Sequence, residues 1–337
     1  MRSLINWFLS PNFDRYKMSN HDIQNVVDLI LTKYQHNAKN DELIINKSSQ
    51  NIELNIPLIN KDVYHEHKCL SPIIKIMELL AREKNPFIKH ALIHGSLKDM
   101  NYIPGWSDLD TWIVIIDDVL EDKNHLLELK TLFIKLNKFL LEVDPIAHHG
   151  FILLFESDLD NYDESIMPVS VLEKAGSLIE NDKININVDI IAQRSHKFAD
   201  MRILFENFIK TGEFCHHPYM GKYLTITDIE NNEGMYQLKY LISLIMSVPV
   251  LYFTEIKKPV YKSESFELFS SIFSKYDDII YIFSDIRNSW GNNENHPYLP
   301  NKIPQWVTKK IPKNFIEQII LLLIKIEEDL SKKIKIL

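Results

Sequence analysis

The chain has 337 residues and a formal charge of −8, with 38 Lys and Arg against 46 Asp and Glu. Apolar residues at 45% and charged residues at 25% exclude a disordered or collagen-like chain, and the length suggests two domains. The acidic total argues against coating of nucleic acid without sequence preference, since phosphate neutralisation leaves a basic composition, and two cysteines are too few for a disulfide framework.

In chain order, residues 1–60 read as an N-terminal arm. It is irregular apart from one helix at 23–34, and Asn- and Lys-rich sequence follows that helix. The opening ten residues are basic and apolar, but the hydrophobic run is too short for a secretory leader and no small-residue cleavage site follows, so a reduced, cytoplasmic protein is expected. Over residues 72–84, Ile73, Ile74, Ile76, Met77, Leu79 and Leu80 recur at helical spacing, which predicts an amphipathic helix. The run Ala91-Leu92-Ile93 ends abruptly at His94-Gly95-Ser96, and after a polar loop a β-branched run over 109–116 predicts a second strand. A helix at 124–142, an extended stretch at 147–155, a helix at 169–179 and a strand at 184–192 follow. The alternation predicts an α/β (α+β) domain over residues 61–197.

Beyond it, residues 201–210, 235–248, 265–273, 276–289 and 314–335 read as helices, so an all-helical C-terminal domain is expected over 198–337. The most lipid-like stretch, 238–253, carries Lys239 and Pro249 and falls short of the ~20 apolar residues that cross a bilayer, so it is expected to be a buried helix with no membrane partner.

The chemistry concentrates between residues 93 and 115. Asp108 and Asp110 open the second strand, and side chains two apart on a strand share a face. Two acids held that close repel unless a cation lies between them, and paired hard oxygen ligands suit Mg²⁺ held together with substrate phosphates. Gly95 lets a backbone approach a phosphate closely, and Ser96 donates from its amide and its hydroxyl. Lys98 and Ser107 stand beside them as further candidate nucleotide contacts.

Glycine and serine, then eleven residues, then Asp-Leu-Asp on a strand resembles the signature of the DNA polymerase beta-like nucleotidyltransferase superfamily. The resemblance spans about residues 70–195. The form His94-Gly95-Ser96, Gly105-Trp106-Ser107-Asp108-Leu109-Asp110, with His148-His149-Gly150 later, is similar to bacterial members of that superfamily. It implies a nucleotidyltransferase-fold mixed sheet with flanking helices, followed by a helical domain. It also implies transfer of a nucleoside monophosphate from a nucleoside triphosphate such as ATP to an acceptor hydroxyl, with two Mg²⁺ ions on Asp108 and Asp110 and release of pyrophosphate. The acidic charge tilts the acceptor towards a small molecule or protein over RNA. The alternative is a noncatalytic nucleotide-binding or regulatory protein with a degenerate site.

The superfamily generally adds a third carboxylate on a later strand. Two residues compete for that place here: His149, where an imidazole titrates near neutral pH, and Asp189, flanked by β-branched residues in a short strand where a buried acid needs a partner or a metal. Lys262, in a turn-like stretch after Tyr261, and Arg287 are candidates to reach the triphosphate, although such side chains are more often solvated or ion-paired. His65, His67 and Cys69, and Cys215, His216 and His217, match no established zinc spacing and read as buried thiols and surface histidines. Trp106 is expected to pack under its loop.

Overall fold

Alternating residues of one small sheet face two separate cores. The structure is a computed structural model that describes residues 2–11, 13, 18–38, 49–67, 70–81, 85–144, 150–162, 164, 166–189, 197–214, 223–256, 258, 260–290 and 302–334. The chain divides into two compact units, Met1–Ala192 and Gln193–Leu337.

In the first unit the elements run α1 (Arg2–Leu9), α2 (Asn20–Ala38), β1 (Ser49–Ile56), α3 (Lys61–His65), α4 (Ser71–Leu80), β2 (Ile88–Ile93) and the short turn α5 (Gly95–Lys98). Then come β3 (Thr111–Ile115), α6 (Lys123–Val143), β4 (Ile152–Phe155), α7 (Val169–Leu172), β5 (Gly176–Ser177) and β6 (Asp182–Asp189). Four strands form a mixed sheet in the order β4-β3-β2-β5, in which β3 is parallel to β4 and antiparallel to β2, while β1 and β6 form a separate antiparallel ladder. The unit is a mixed α/β structure.

The period of two along each strand sorts the side chains. Ala91, Ile93, Ile113, Ile115, Leu153 and Phe155 enter a core with residues of α1, α2, α4 and α6. Leu92, Trp112, Val114 and Leu154 face the other way, onto Leu54, Ile56, Ile184 and Ile186 of the β1–β6 ladder. With both faces covered, β3 has no polar alternation and every residue of it is buried.

The described residues within 1–60 include two helices and a strand, and some of them enter the first core instead of forming an irregular arm. Ile5, Phe8, Leu9 and Phe13 are buried in the first core, and two side chains of α6 reach the end of α1: Lys130 Nζ donates to the Phe8 carbonyl at 2.6 Å and Asn137 Nδ2 to the Leu9 carbonyl at 2.9 Å. These are carbonyls that a helix C-terminus leaves without an intrahelical partner. Helix α2 starts earlier than its apolar pattern because Ser19 and Asp22 cap it reciprocally, Ser19 N donating to Asp22 Oδ2 and Asp22 N to Ser19 Oγ. β1 pairs along its whole length with β6, from Ser49 opposite Asp189 to Ile56 opposite Asp182. Its signal was the alternation of Ile52, Leu54 and Ile56, set among asparagines that are poor strand formers.

The helix expected over 169–179 stops at Leu172, and Gly176 and Ser177 instead pair with Ile93 and Leu92 of β2. A Cβ built on Gly176 would lie 2.3 Å from Ile59 Cγ2, so the glycine is what lets Ile59 lie against this strand. Gly176→Ala is expected to cost about 1–3 kcal/mol by overpacking, and Ile59→Ala in the same chain to return part of that loss. Urea unfolding of the two single variants and the double variant measures the coupling, and additive losses would remove the explanation. The strand expected over 147–155 is described over Ile152–Phe155, residues 145–149 lying outside the described ones, and the strand expected over 184–192 is described over Asp182–Asp189, residues 190–196 likewise lying outside.

All the named elements of the second unit are helices: α8 (Lys197–Thr211), α9 (Ile226–Glu230), α10 (Met235–Glu255), α11 (Lys262–Phe273), α12 (Asp278–Trp290), α13 (Gln305–Lys310) and α14 (Phe315–Ile334). Helix α10 continues through Pro249 to Glu255, beyond the 235–248 read from the sequence. Among the described residues it is the one helix long and apolar enough to cross a membrane, and most of it is buried, Leu238, Leu241, Ile245 and Tyr252 fully so. The Tyr252 hydroxyl ties it to α14 by donating to Asp329 Oδ2 at 2.7 Å and accepting from Lys333.

Candidate functional site

The site begins where β2 ends. His94 N donates to the Asp110 carbonyl at 3.0 Å, which carries the β2–β3 ladder one step beyond the pair Ile93–Thr111. Asp110 is therefore in phase with Trp112 and Val114, the residues of β3 that face the β1–β6 ladder. The chain then reverses at Gly95, whose φ of +70° lies in the left-handed region that favours glycine.

Space as well as conformation demands glycine at this position. A Cβ built there would lie 2.6 Å from Asp110 Oδ2 and 3.5 Å from its Cγ, so the carboxylate occupies the volume any side chain would need. Asp108 and Asp110 are half-buried, and Asp108 Oδ1 is shielded from solvent. The structure thus brings Gly95 against Asp110, with Asp108 two residues before it on the same segment. Gly95→Ala is expected to lose about 1–2 kcal/mol from the left-handed backbone alone and more from the displaced carboxylate. A melting curve reads this loss, and an unchanged midpoint would contradict the close approach.

Hydrogen bonds within the intervening loop hold it in place. Gly95 O accepts from Asp99 N at 3.1 Å and Ser96 O from Asn101 N at 2.9 Å, while the Ile103 carbonyl accepts from both Trp106 N and Ser107 N. Ser107, expected as a nucleotide contact, is a brace within this loop: its hydroxyl accepts from Ile103 N at 2.7 Å and the residue is 7% exposed. Trp106 is buried, as core packing requires. Ser96 is half-buried on the turn, and Lys98 pairs with Asp99 at 3.2 Å while its stem passes Gly176.

Both candidates for a third ligand have side chains outside the described residues. His149 lies outside the described residues; Asp189 ends β6 opposite Ser49, with its side chain outside the described ones. Among the described residues no group of three or more His, Cys, Asp or Glu is arranged to hold a metal ion. Lys262 is the first residue of α11, with Tyr261 at its N-cap, and Arg287 donates to Asn288 Oδ1 near the end of α12; both belong to the second unit. Cys69 and residues 215–217 lie outside the described residues, and the His67 ring meets Tyr102 edge-on.

Sequence reasoning missed two contacts around this site. His90 Nδ1 lies 2.8 Å from Asp182 Oδ2 with both residues buried, which links the central sheet to the first residue of β6. The alternation His90, Leu92, His94, which begins in β2 and runs to the residue just past its end, was the available signal. Tyr64 of α3 reaches the carbonyl of Leu97 inside the Gly95–Lys98 turn at 3.2 Å, and no local pattern announces it. No protein-family model, curated protein or solved structure matches the chain.

Proposed function

We propose that the chain is a nucleotidyltransferase of the DNA polymerase beta-like type, acting on a nucleoside triphosphate and an acceptor hydroxyl. The observation that carries this reading is the Asp110 carboxylate lying against Gly95 at the end of β2, with Asp108 beside it. Two half-buried carboxylates on one segment are hard oxygen donors of the kind Mg²⁺ takes, so the residues fit a divalent ion. Bound there, Mg²⁺ would neutralise charge on the attacking and leaving oxygens of an in-line displacement.

Asp108 and Asp110 hold the ions in this reading, and the Gly95–Ser96 turn receives the terminal phosphates. An acceptor oxygen forms the new bond to the α-phosphorus as the bond to pyrophosphate breaks, and the hydroxyl proton passes to Asp189 or His149. Lys98 stands at the end of the turn, and Ser107 braces the loop from within. The acidic net charge favours a small molecule or a protein side chain as acceptor.

Thermal melting with ATP, CTP, GTP and UTP, each with and without Mg²⁺, is the direct test, because a ligand that binds only the folded state raises its apparent stability. A rise of several degrees with one nucleotide and Mg²⁺ is expected, together with pyrophosphate release once an acceptor is supplied. Stabilisation with no pyrophosphate from any acceptor would favour a noncatalytic nucleotide-binding protein. No stabilisation by any of the four would end the nucleotide reading.

A further inference from the structure

The Gly95–Lys98 turn carries the two residues assigned above to the phosphates, and it starts at a glycine, the residue with most conformational freedom to lose. Its own hydrogen bonds are local: Gly95 O to Asp99 N, and Ser96 O to Asn101 N. The carbonyl of Leu97 is held differently. It accepts from the hydroxyl of Tyr64, which lies 33 positions earlier in the chain, at 3.2 Å.

Both ends of this contact are fixed. Leu97 is 1% exposed and Tyr64 2% exposed, so neither partner is free to exchange the bond for water. Helix α3, which carries Tyr64, is itself capped by Asn60, whose side chain accepts from Asp62 N. It follows directly on Ile59, whose amide donates to Ser177 O of β5. The segment that leads into the tyrosine's helix is therefore tied to the sheet that the turn leaves. Burial, with Asp99 nearby, pushes its phenol up to about 12, so it remains a donor across the whole neutral range.

We infer that Tyr64 is a positioning residue, whose hydroxyl fixes the Leu97 carbonyl and so holds Gly95 and Ser96 at the height where phosphates meet Asp110. The inference rests on the nucleotidyltransferase reading. The bond crosses from a separate element into a short turn, so it restrains the turn as a body, which its internal bonds do not. Preorganisation of this kind lowers the ordering cost of binding.

Tyr64→Phe in the full chain tests it, since the ring packing stays and only the hydroxyl goes. Two measurements are needed. Amide hydrogen exchange at Asp99 and Asn101 is expected to quicken about tenfold, and affinity for the stabilising nucleotide with Mg²⁺ to fall about tenfold, as the loss of one buried hydrogen bond allows. Exchange away from residues 95–101 stays as in the wild type. Unchanged exchange overturns the tie, whether or not the chain binds nucleotide. Faster exchange with undiminished nucleotide affinity overturns the positioning role and leaves a purely structural bond. If the wild-type chain binds none of ATP, CTP, GTP or UTP with Mg²⁺, the positioning role falls with the nucleotide reading, and that failure is seen in the wild type before any variant is compared.

Discussion

Asp110→Asn and Asp108→Asn are each expected to abolish the Mg²⁺-dependent rise in melting temperature with nucleotide and to cut pyrophosphate release by about 10²–10³-fold, the scale set by removing one preorganised charge-stabilising group. At position 110 the amide keeps the volume that the carboxylate fills beside Gly95, where an added Cβ would lie 2.6 Å from Asp110 Oδ2, and removes the charge. The ligand-free chain is expected to stay folded and to melt cooperatively, because the amide keeps the volume of the half-buried carboxylate. Loss of the nucleotide-dependent rise in a chain that still folds separates a site defect from a folding defect. Either variant retaining Mg²⁺-dependent stabilisation by nucleotide would remove the basis of the proposed chemistry.

Deleting residues 1–13 is expected to unfold the first unit. Ile5, Phe8, Leu9 and Phe13 are each at most 2% exposed, and at ~1.5–3 kcal/mol for each buried side chain their loss amounts to about 6–12 kcal/mol. A domain of ordinary stability has only ~5–15 kcal/mol to lose. The deletion also strips Lys130 of the Phe8 carbonyl and of the Phe8 and Phe13 rings, 5.3 and 4.6 Å from its ammonium. A buried ammonium with its acceptor removed is costly. Within the intact chain Lys130→Met keeps the stem packed but leaves the buried Phe8 carbonyl without its donor, so it should lose about 1–3 kcal/mol, whereas Lys130→Ala should lose about 2–4 kcal/mol more by also opening a cavity. Denaturant unfolding followed by circular dichroism distinguishes the three. A deletion variant with the wild-type midpoint would show that α1 contributes nothing to the first core.

Long periodic segments were legible because one face of each is apolar over several turns. The helices at 72–84, 124–142 and 314–335 appear as Ser71–Leu80, Lys123–Val143 and Phe315–Ile334. Asp122 explains the start of the second, its side chain accepting from Asn124 N and His125 N. Elements whose stability comes from a distant partner were not legible. β1 exists because β6 lies beside it, β5 is two residues that β2 recruits, and α1 is ordered by a lysine and an asparagine more than 120 positions away.

The same division holds at the candidate site. Gly95, Ser96, Asp108 and Asp110 were marked by the sequence alone, because a bend after a buried strand and two acids two apart are local patterns with a physical meaning. Tertiary structure decided that Asp110 fills the space beside Gly95, that Ser107 faces inward to Ile103 N, and that Tyr64 reaches Leu97. Local order follows from backbone preference and periodic burial, which neighbours in the chain specify. Which oxygen meets which glycine depends on strand register and on packing between elements far apart in sequence, and those are set only when the sheet closes on both of its cores.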